Sequence, residues 1–274
     1  MEKVTDKMAL IQSIFIDSKE KGLSITNHSE LNSILLKNDA EFISIAYEAA
    51  SMGIAINSIK SNNALADWHN FYQIFGLSHA TQIHVGLGWA LAELNLDINS
   101  YINELEPHYK YRVVDGFAYY HGKFKRRQAV RMQEIPENLN SFGIRAYNQG
   151  LGRSLWYLAQ GEVEKLHRLI DIFPIERRFD MWRGVGVAVA YVGGVKPIVI
   201  EELMKLSGNY LPAFKCGIAI AVQTKEKAKV TSNDTSLICA TATGENHSII
   251  CEKLNQLEKN GDYFNWLKNI EAEL

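Results

Sequence analysis

Residues 74–94 read IFGLSHATQIHVGLGWALAEL, and residues 172–192 read IFPIERRFDMWRGVGVAVAYV. Laid over one another without a gap, they share Ile, Phe, two Gly and two Ala, six matches where unrelated segments of ordinary composition give about one or two. A repeat has to be recognised before anything else in the chain is read, because it dictates the architecture. A second pair lies upstream of the first: Phe42, Ala46 and Tyr47 in EFISIAYEAASMGIAI match Phe142, Ala146 and Tyr147 in SFGIRAYNQGLGRSLW. A weaker correspondence sets Gly116–Lys123 against Ala213–Val222. The expectation is a duplicated unit, one copy over about 38–135 and the other over about 138–235, followed by a C-terminal helix over 247–274.

The repeated segments are rich in Ala, Gly and long aliphatics on most faces, the pattern of buried helices. Gly86 and Gly88, Gly150 and Gly152, and Gly184 and Gly186 each weaken a helix by roughly 1 kcal/mol relative to Ala. Close approach of crossing backbones is what would offset that. Val185–Val192 (VGVAVAYV) also fits a strand, since β-branched residues alternate there with small ones. Its partner segment GLGWALAEL favours a helix, so both are read as helical. Val4 to Lys21 has helical spacing and stops at Gly22, and His247 to Lys259 forms a helix ending before Asn260–Gly261. Pro107, Pro136, Pro174, Pro197 and Pro212 fall at connections or helix starts, and Thr231–Asp234 is a turn. The fold expected is all-α, a single compact domain of two units related by a pseudo-two-fold, with a cavity between them.

With 274 residues, 47% of them hydrophobic, the chain can bury an ordinary core. A formal net charge of −2 gives no electrostatic footprint for nucleic acid, which needs clustered Lys and Arg. The one basic run, Lys123–Arg127 (KFKRR), reads as a solvated helix end or loop. Cys216, Cys239 and Cys251 are far apart without a CxxC pair, which suits a reducing cytoplasm. The start of the chain carries Glu2, Lys3, Asp6 and Lys7, unlike a signal peptide, and the longest apolar stretch, Gly184–Val195, is too short to span a bilayer. No membrane span is expected, and a homodimer is left open.

Polar residues set into apolar helices are the informative ones, because burial is costly unless they are bonded, paired or functional. Glu48 stands alone amid AYEAASMGIAI, where a buried carboxylate is a candidate general acid or base. Bracing a neighbouring helix is the structural alternative. His84 lies four residues before Gly88 and so on the same face, while Trp182 takes its place in the second copy. That asymmetry suggests a pocket with one polar and one aromatic wall. Asp115 and His121 are interleaved with Phe117, Tyr119, Tyr120 and Phe124, rings suited to stacking on a flat conjugated ligand. Arg145, Gln149 and Arg153 recur every four residues, with Arg177, Arg178 and Arg183 nearby in sequence. They would either pair with other helices or hold a carboxylate or thioester end.

The blocks FISIAYEAASMGIAI (42–56), HVGLGWALAEL (84–94), VVDGFAYYHGKF (113–124), IRAYNQGLGRSLWY (144–157) and FPIERRFDMWRGVGVAVAYVGG (173–194) resemble, in order, the domain-of-unknown-function family labelled UnbL-type. Genes of that family commonly accompany enediyne polyketide synthases. The resemblance covers roughly Glu41 to Ile220. It implies processing of a polyene chain released by an iterative polyketide synthase, or of an analogous unsaturated lipid. The chain departs from that pattern at Asn148, where the family usually carries an acidic residue.

Glu48, His84, Asp115 and His121 are thus the candidate catalytic set, for isomerisation, cyclisation or desaturation of a long hydrophobic substrate. Candidate substrate contacts are Tyr47, Trp89, Tyr120, Phe124, Arg145, Asn148, Gln149, Arg153, Arg178 and Trp182. A non-catalytic carrier of the same polyene is the competing reading. No cofactor is implied, and no nucleotide-binding glycine motif or hydrolase elbow occurs. The four catalytic candidates are also ligand types for a non-haem iron or similar ion, in which case the protein would be a metal-dependent oxidative enzyme.

Overall fold

The computed structural model describes residues 2–137, 139–258 and 262–274. Among them there is no strand. The helices in chain order are α1 (Glu2–Ser24), α2 (His28–Leu35), α3 (Ile43–Lys60), α4 (Ala66–Glu93), α5 (Asn99–Ile102), α6 (Lys110–Phe124) and α7 (Ser141–Ala159). They continue as α8 (Val163–Asp171), α9 (Ile175–Val192), α10 (Pro197–Ser207), α11 (Leu211–Lys227), α12 (Asn233–Thr243), α13 (His247–Glu258) and α14 (Tyr263–Glu273). Val185–Val192 is helical, as its partner segment required.

Seven helices make the centre, and each packs along the next in chain order: α1 on α3, α3 on α4, α4 on α6, α6 on α7, α7 on α9 and α9 on α11. α1 also meets α9, and α4 meets α11, so the succession closes on itself. Glycine sets how near the axes come. A Cβ on Gly86 would lie 2.2 Å from the main-chain oxygen of Glu48 on the preceding helix, and one on Gly88 2.0 Å from that of Val113 on the following helix. The same two-sided device recurs, with Gly150 against Asp115 and Gly152 against Met181, then Gly184 against Gln149 and Gly186 against Phe214. In a glycine-x-glycine pair the first residue admits the helix before and the second the helix after. Gly22, read as the end of α1, lies inside the helix, where it admits the main chain of Ala50: a Cβ there would lie 2.2 Å from the Ala50 oxygen.

The remaining helices cover the outside. α8 buries Val163, Leu166 and Ile170, and α14 buries Tyr263, Trp266, Leu267 and Ile270. Where one C-terminal helix is expected over 247–274, two are found. Asp262 caps α14 by accepting from the Phe264 and Asn265 amides, which fixes a new start there. Lys259, Asn260 and Gly261, on which the expected helix end falls, lie outside the described residues.

α1 is held across the centre at both ends. Lys7 reaches Glu41 at 2.7 Å and Asp234 at 2.8 Å, and the fully buried Lys225 lies 3.5 Å from Glu41. At the other end Lys19 pairs with Glu93 at 2.7 Å. Among the described residues one stretch, Ala40–Lys60, is by length and composition apolar enough to cross a membrane, but most of it is buried in the core. Cys216, Cys239 and Cys251 are buried and unpaired.

Candidate functional site

Beneath α1 lies a pocket of about 340 Å³, walled by α1, α3, α4, α6, α7 and α9. Met8, Ile11 and Phe15 of α1, Ile45 of α3 and Leu158 of α7 make its sides apolar. The Trp89 ring lies tilted against those of Phe15 and Tyr119, with ring centroids at 4.5 and 4.9 Å. The floor is polar: Glu48, Arg153, Lys123, Tyr119, Tyr157 and Tyr191 all face the space. The volume is near the lower end of small-molecule sites, so a longer chain would extend through the open mouth.

Glu48 is 5% exposed and sits in the middle of α3, where its own backbone oxygen receives Gly86. Burial pushes its carboxyl up to about 7; Arg153 opposes that rise and Asp115 adds to it. The Trp89 indole N–H lies near enough to favour the ionised form, yet closes no hydrogen bond. Arg153 donates to Asp115, whose other oxygen accepts from Gln149 Nε2 at 2.8 Å. Gln149 in turn touches the Tyr263 hydroxyl at 3.3 Å. Burial works against the charge on Arg153, but Asp115 and Glu48 outweigh it and keep the guanidinium protonated. One cation thus stands between two carboxyl groups, of which Asp115 is tied by hydrogen bonds and Glu48 is free to titrate.

Tyr119 and Tyr157 meet edge to face with centroids 5.7 Å apart, and burial raises the pKa of both hydroxyls. Gln82 donates to the Tyr191 hydroxyl, which burial also keeps protonated. Burial lowers the Lys123 pKa, with Arg126 adding to the effect, and its ammonium lies 5.7 Å from the Trp89 ring centroid. The floor therefore offers a carboxyl poised to gain or lose a proton near neutrality, neutral phenols, and π faces able to stabilise a cation.

The profile of the family described as protein of unknown function (DUF1702) matches residues 1–274. The chain belongs to the DUF1702 family. No curated protein and no solved structure matches it. Membership fixes the kinship of the whole chain, and the chemistry has to be argued from the site itself.

In this DUF1702 chain, Glu48 and Arg153 on the pocket floor come together with Asp115 and Gln149 behind it, and Trp89 lines the pocket wall. The other candidates are elsewhere. His84 is packed in a cage of Trp68, Tyr72 and Tyr109 with its Nδ1 on the Ala80 carbonyl at 2.8 Å, and burial lowers its pKa to about 4. His121 lines a separate open groove with Phe117, Phe124 and Tyr147, its Nδ1 3.1 Å from the Tyr147 hydroxyl. Tyr47 stacks on His79 at 3.8 Å and bonds Asn32. Trp182 is a core ring edge-on to Phe214, so the asymmetric wall read from His84 and Trp182 does not form around a pocket.

Arg145 reaches Asp180 at 3.3 Å, Asn148 accepts from Arg177, and Arg178 bonds Asp171 and the Phe173 carbonyl. These are braces between helices. Tyr120 lies beside Trp89 and Phe124 outside the pocket, and Phe124 is 59% exposed. Among the described residues no three His, Cys, Asp or Glu side chains form a metal-ligand group, and Glu48, His84, Asp115 and His121 do not converge.

Tyr157, Tyr191, Gln82 and Lys123 were not singled out as site residues. Two of them left a faint trace: Tyr191 is a phenol inside the apolar run VGVAVAYV, and Lys123 heads the run read as solvated, although its stem is half-buried. In the remainder of that run Phe124, Arg126 and Arg127 are exposed and Lys125 is half-buried.

Proposed function

We propose that the protein is an enzyme that binds an apolar, unsaturated molecule in the pocket under α1 and rearranges it by proton transfer from Glu48. The observation that carries this is a buried carboxyl, titrating near 7, on the floor of a pocket whose sides are hydrocarbon and aromatic rings. Protonation of one alkene carbon by Glu48 generates a cation, which Trp89, Tyr119 and Tyr157 face. Loss of a proton from a neighbouring carbon then gives a double-bond isomer or, after ring closure, a cyclic product. No electrons enter or leave in this step, and isomerisation and cyclisation are the two outcomes that proton transfer alone accomplishes.

The resemblance to the UnbL-type family supports a polyene of polyketide origin as the substrate, within natural-product biosynthesis beside enediyne synthases. The unpaired buried cysteines support a cytoplasmic setting. The recurring glycine-x-glycine crossings support the reading of the chain as a duplicated unit. A synthetic all-trans conjugated polyene added to the purified protein should lose its long-wavelength absorption, and the Glu48→Gln variant should bind it unchanged. Binding without conversion by the unmodified protein would replace the enzyme with a polyene carrier. Equal conversion by Glu48→Gln would remove Glu48 from the mechanism.

A further inference from the structure

Behind Glu48, on the side away from the pocket, is a void of about 20 Å³ lined by Glu48, Asp115, Arg153, Gln82, Arg112 and Thr224. A second void of about 20 Å³ shares Gln82, Arg112, Thr81 and Thr224 with the first and extends to His108 and Glu258. Each has room for one water; the outer void is about half polar, and in the inner one the polar groups stand among the apolar side chains of Val85, Val187, Ile220 and Ala221. Two side-chain atoms on this path lack a protein partner: Gln82 Oε1 and Arg112 Nε. Their residues are 2% and 5% exposed, and buried polar atoms of this kind are satisfied by internal water. Both groups are fixed in place. The Gln82 amide nitrogen is committed to Tyr191, and the Arg112 guanidinium is clamped over the rings of Tyr263 and Trp266 at 4.7 and 5.7 Å. At the outer end His108 Nε2 lies 3.2 Å from Glu258 Oε1, and both are partly open to solvent.

We infer that a file of buried water runs from the His108–Glu258 pair past Arg112 and Gln82 to Glu48, and returns protons to Glu48 while an apolar molecule fills the pocket in front. This rests on the proton-transfer reading of the pocket, and it answers a difficulty in that reading. A hydrocarbon substrate dries the front side, so a carboxylate left after donation has no solvent there. The count balances: Glu48 gives one proton to carbon, the substrate cation releases one to the Glu48 carboxylate, and the file exchanges that proton with bulk water, so that the carboxyl begins each turnover protonated. Nothing is oxidised or reduced. Thr81 and Thr224 are the hydroxyls placed to bond the waters along the way.

The test closes the front and watches the back. The native cysteines are buried, so Gln12→Cys at the exposed mouth can be plugged with pyrene maleimide. After mixing into D2O, the infrared band of the protonated Glu48 carboxyl, assigned by its loss in Glu48→Gln, reports exchange. The plugged protein should still exchange. Adding the isosteric pair Thr81→Val and Thr224→Val should slow that exchange at least tenfold. A plugged protein that cannot exchange, or a double-valine variant as fast as its parent, would overturn the route. Should the valine pair fail to fold, a high-resolution crystal structure of the unmodified chain decides: water bonded to Gln82 Oε1 and Arg112 Nε supports the file, and dry voids refute it. Neither readout depends on turnover, so failure of the catalytic reading would be seen separately.

Discussion

Two crossings in the molecule share one backbone design and differ in what they carry. Where α3 meets α4, Gly86 admits the carbonyl of Glu48; where α7 meets α9, Gly184 admits the carbonyl of Gln149. The side chains at these matched points are a carboxyl and its amide counterpart. Glu48 faces the pocket, and burial pushes its carboxyl up to about 7. Gln149 has no charge to change and spends its amide on Asp115 and Tyr263. The same crossing therefore presents a titratable group in one place and a brace in the other, and the brace holds the Arg153–Asp115 pair that sets the charge around Glu48.

The backbone half of that comparison is broken most severely by methyl groups. Gly86→Ala and Gly184→Ala place a carbon 2.2 and 1.9 Å from carbonyl oxygens, and each should destabilise the fold by about 3 kcal/mol or more in urea denaturation. If either is tolerated within about 1 kcal/mol, the helices are not as close as described. Next in size is exchange of the carboxyl itself. Glu48→Gln should reduce polyene conversion by ~10²–10⁴-fold, measured by loss of the conjugated absorption, while circular dichroism stays unchanged.

A third effect is on stability against pH. The Glu48 carboxyl is raised from 4.5 to about 7 in the fold, so the folded state prefers it protonated. Its contribution is full below pH 4.5 and is lost as pH rises through 7, at most about 3 kcal/mol. His84 acts oppositely: its lowered pKa makes the fold lose stability as pH falls below 6.5 toward 4. Comparing urea midpoints of Glu48→Gln and the parent at pH 5 and pH 8 isolates the first effect. The variant should decline less over that interval.

Turning the brace into the titrating group sharpens the contrast further. Gln149→Glu sets a second carboxyl against Asp115, and should destabilise by about 1–3 kcal/mol, more at pH 8 than at pH 5. The smallest effect is expected at His121, which lies in another groove. His121→Gln should leave polyene conversion at the parent's rate, and a large drop there would shift the site away from Glu48.

The fold was legible because it is written in small residues at fixed spacing. The glycine pairs announced close crossings, and the prolines marked the helix starts at Pro197 and Pro212. The C-terminal break was half legible: Asn260–Gly261 marked a stop after His247–Lys259, but Asp262, which caps α14 and starts a new helix, went unread. The site was half legible. Glu48 stood out as a lone charge in an apolar helix, and the four-residue spacing of Gln149 and Arg153 put both on the face that meets Asp115. His84 and His121 looked equivalent to Glu48 in sequence, because a helix presents every direction and sequence does not show which one meets a void. Arg145 shares the spacing of Arg153, yet at one end of α7 it meets Asp180 instead. Tyr157 and Tyr191 were hidden by the reverse problem: in apolar runs a tyrosine ring reads as core until its hydroxyl is seen to face space.

The most direct test is a titration of the Glu48 carboxyl itself, by carbon-13 NMR of protein labelled at the glutamate side-chain carbon, with Glu48→Gln to assign the signal. A midpoint near 7, moving upward when Arg153 is replaced by Met, is the expected result. A midpoint at or below the ordinary glutamate value of about 4.3 would mean that the carboxyl is a fixed anion, and the pocket would have no acid to offer.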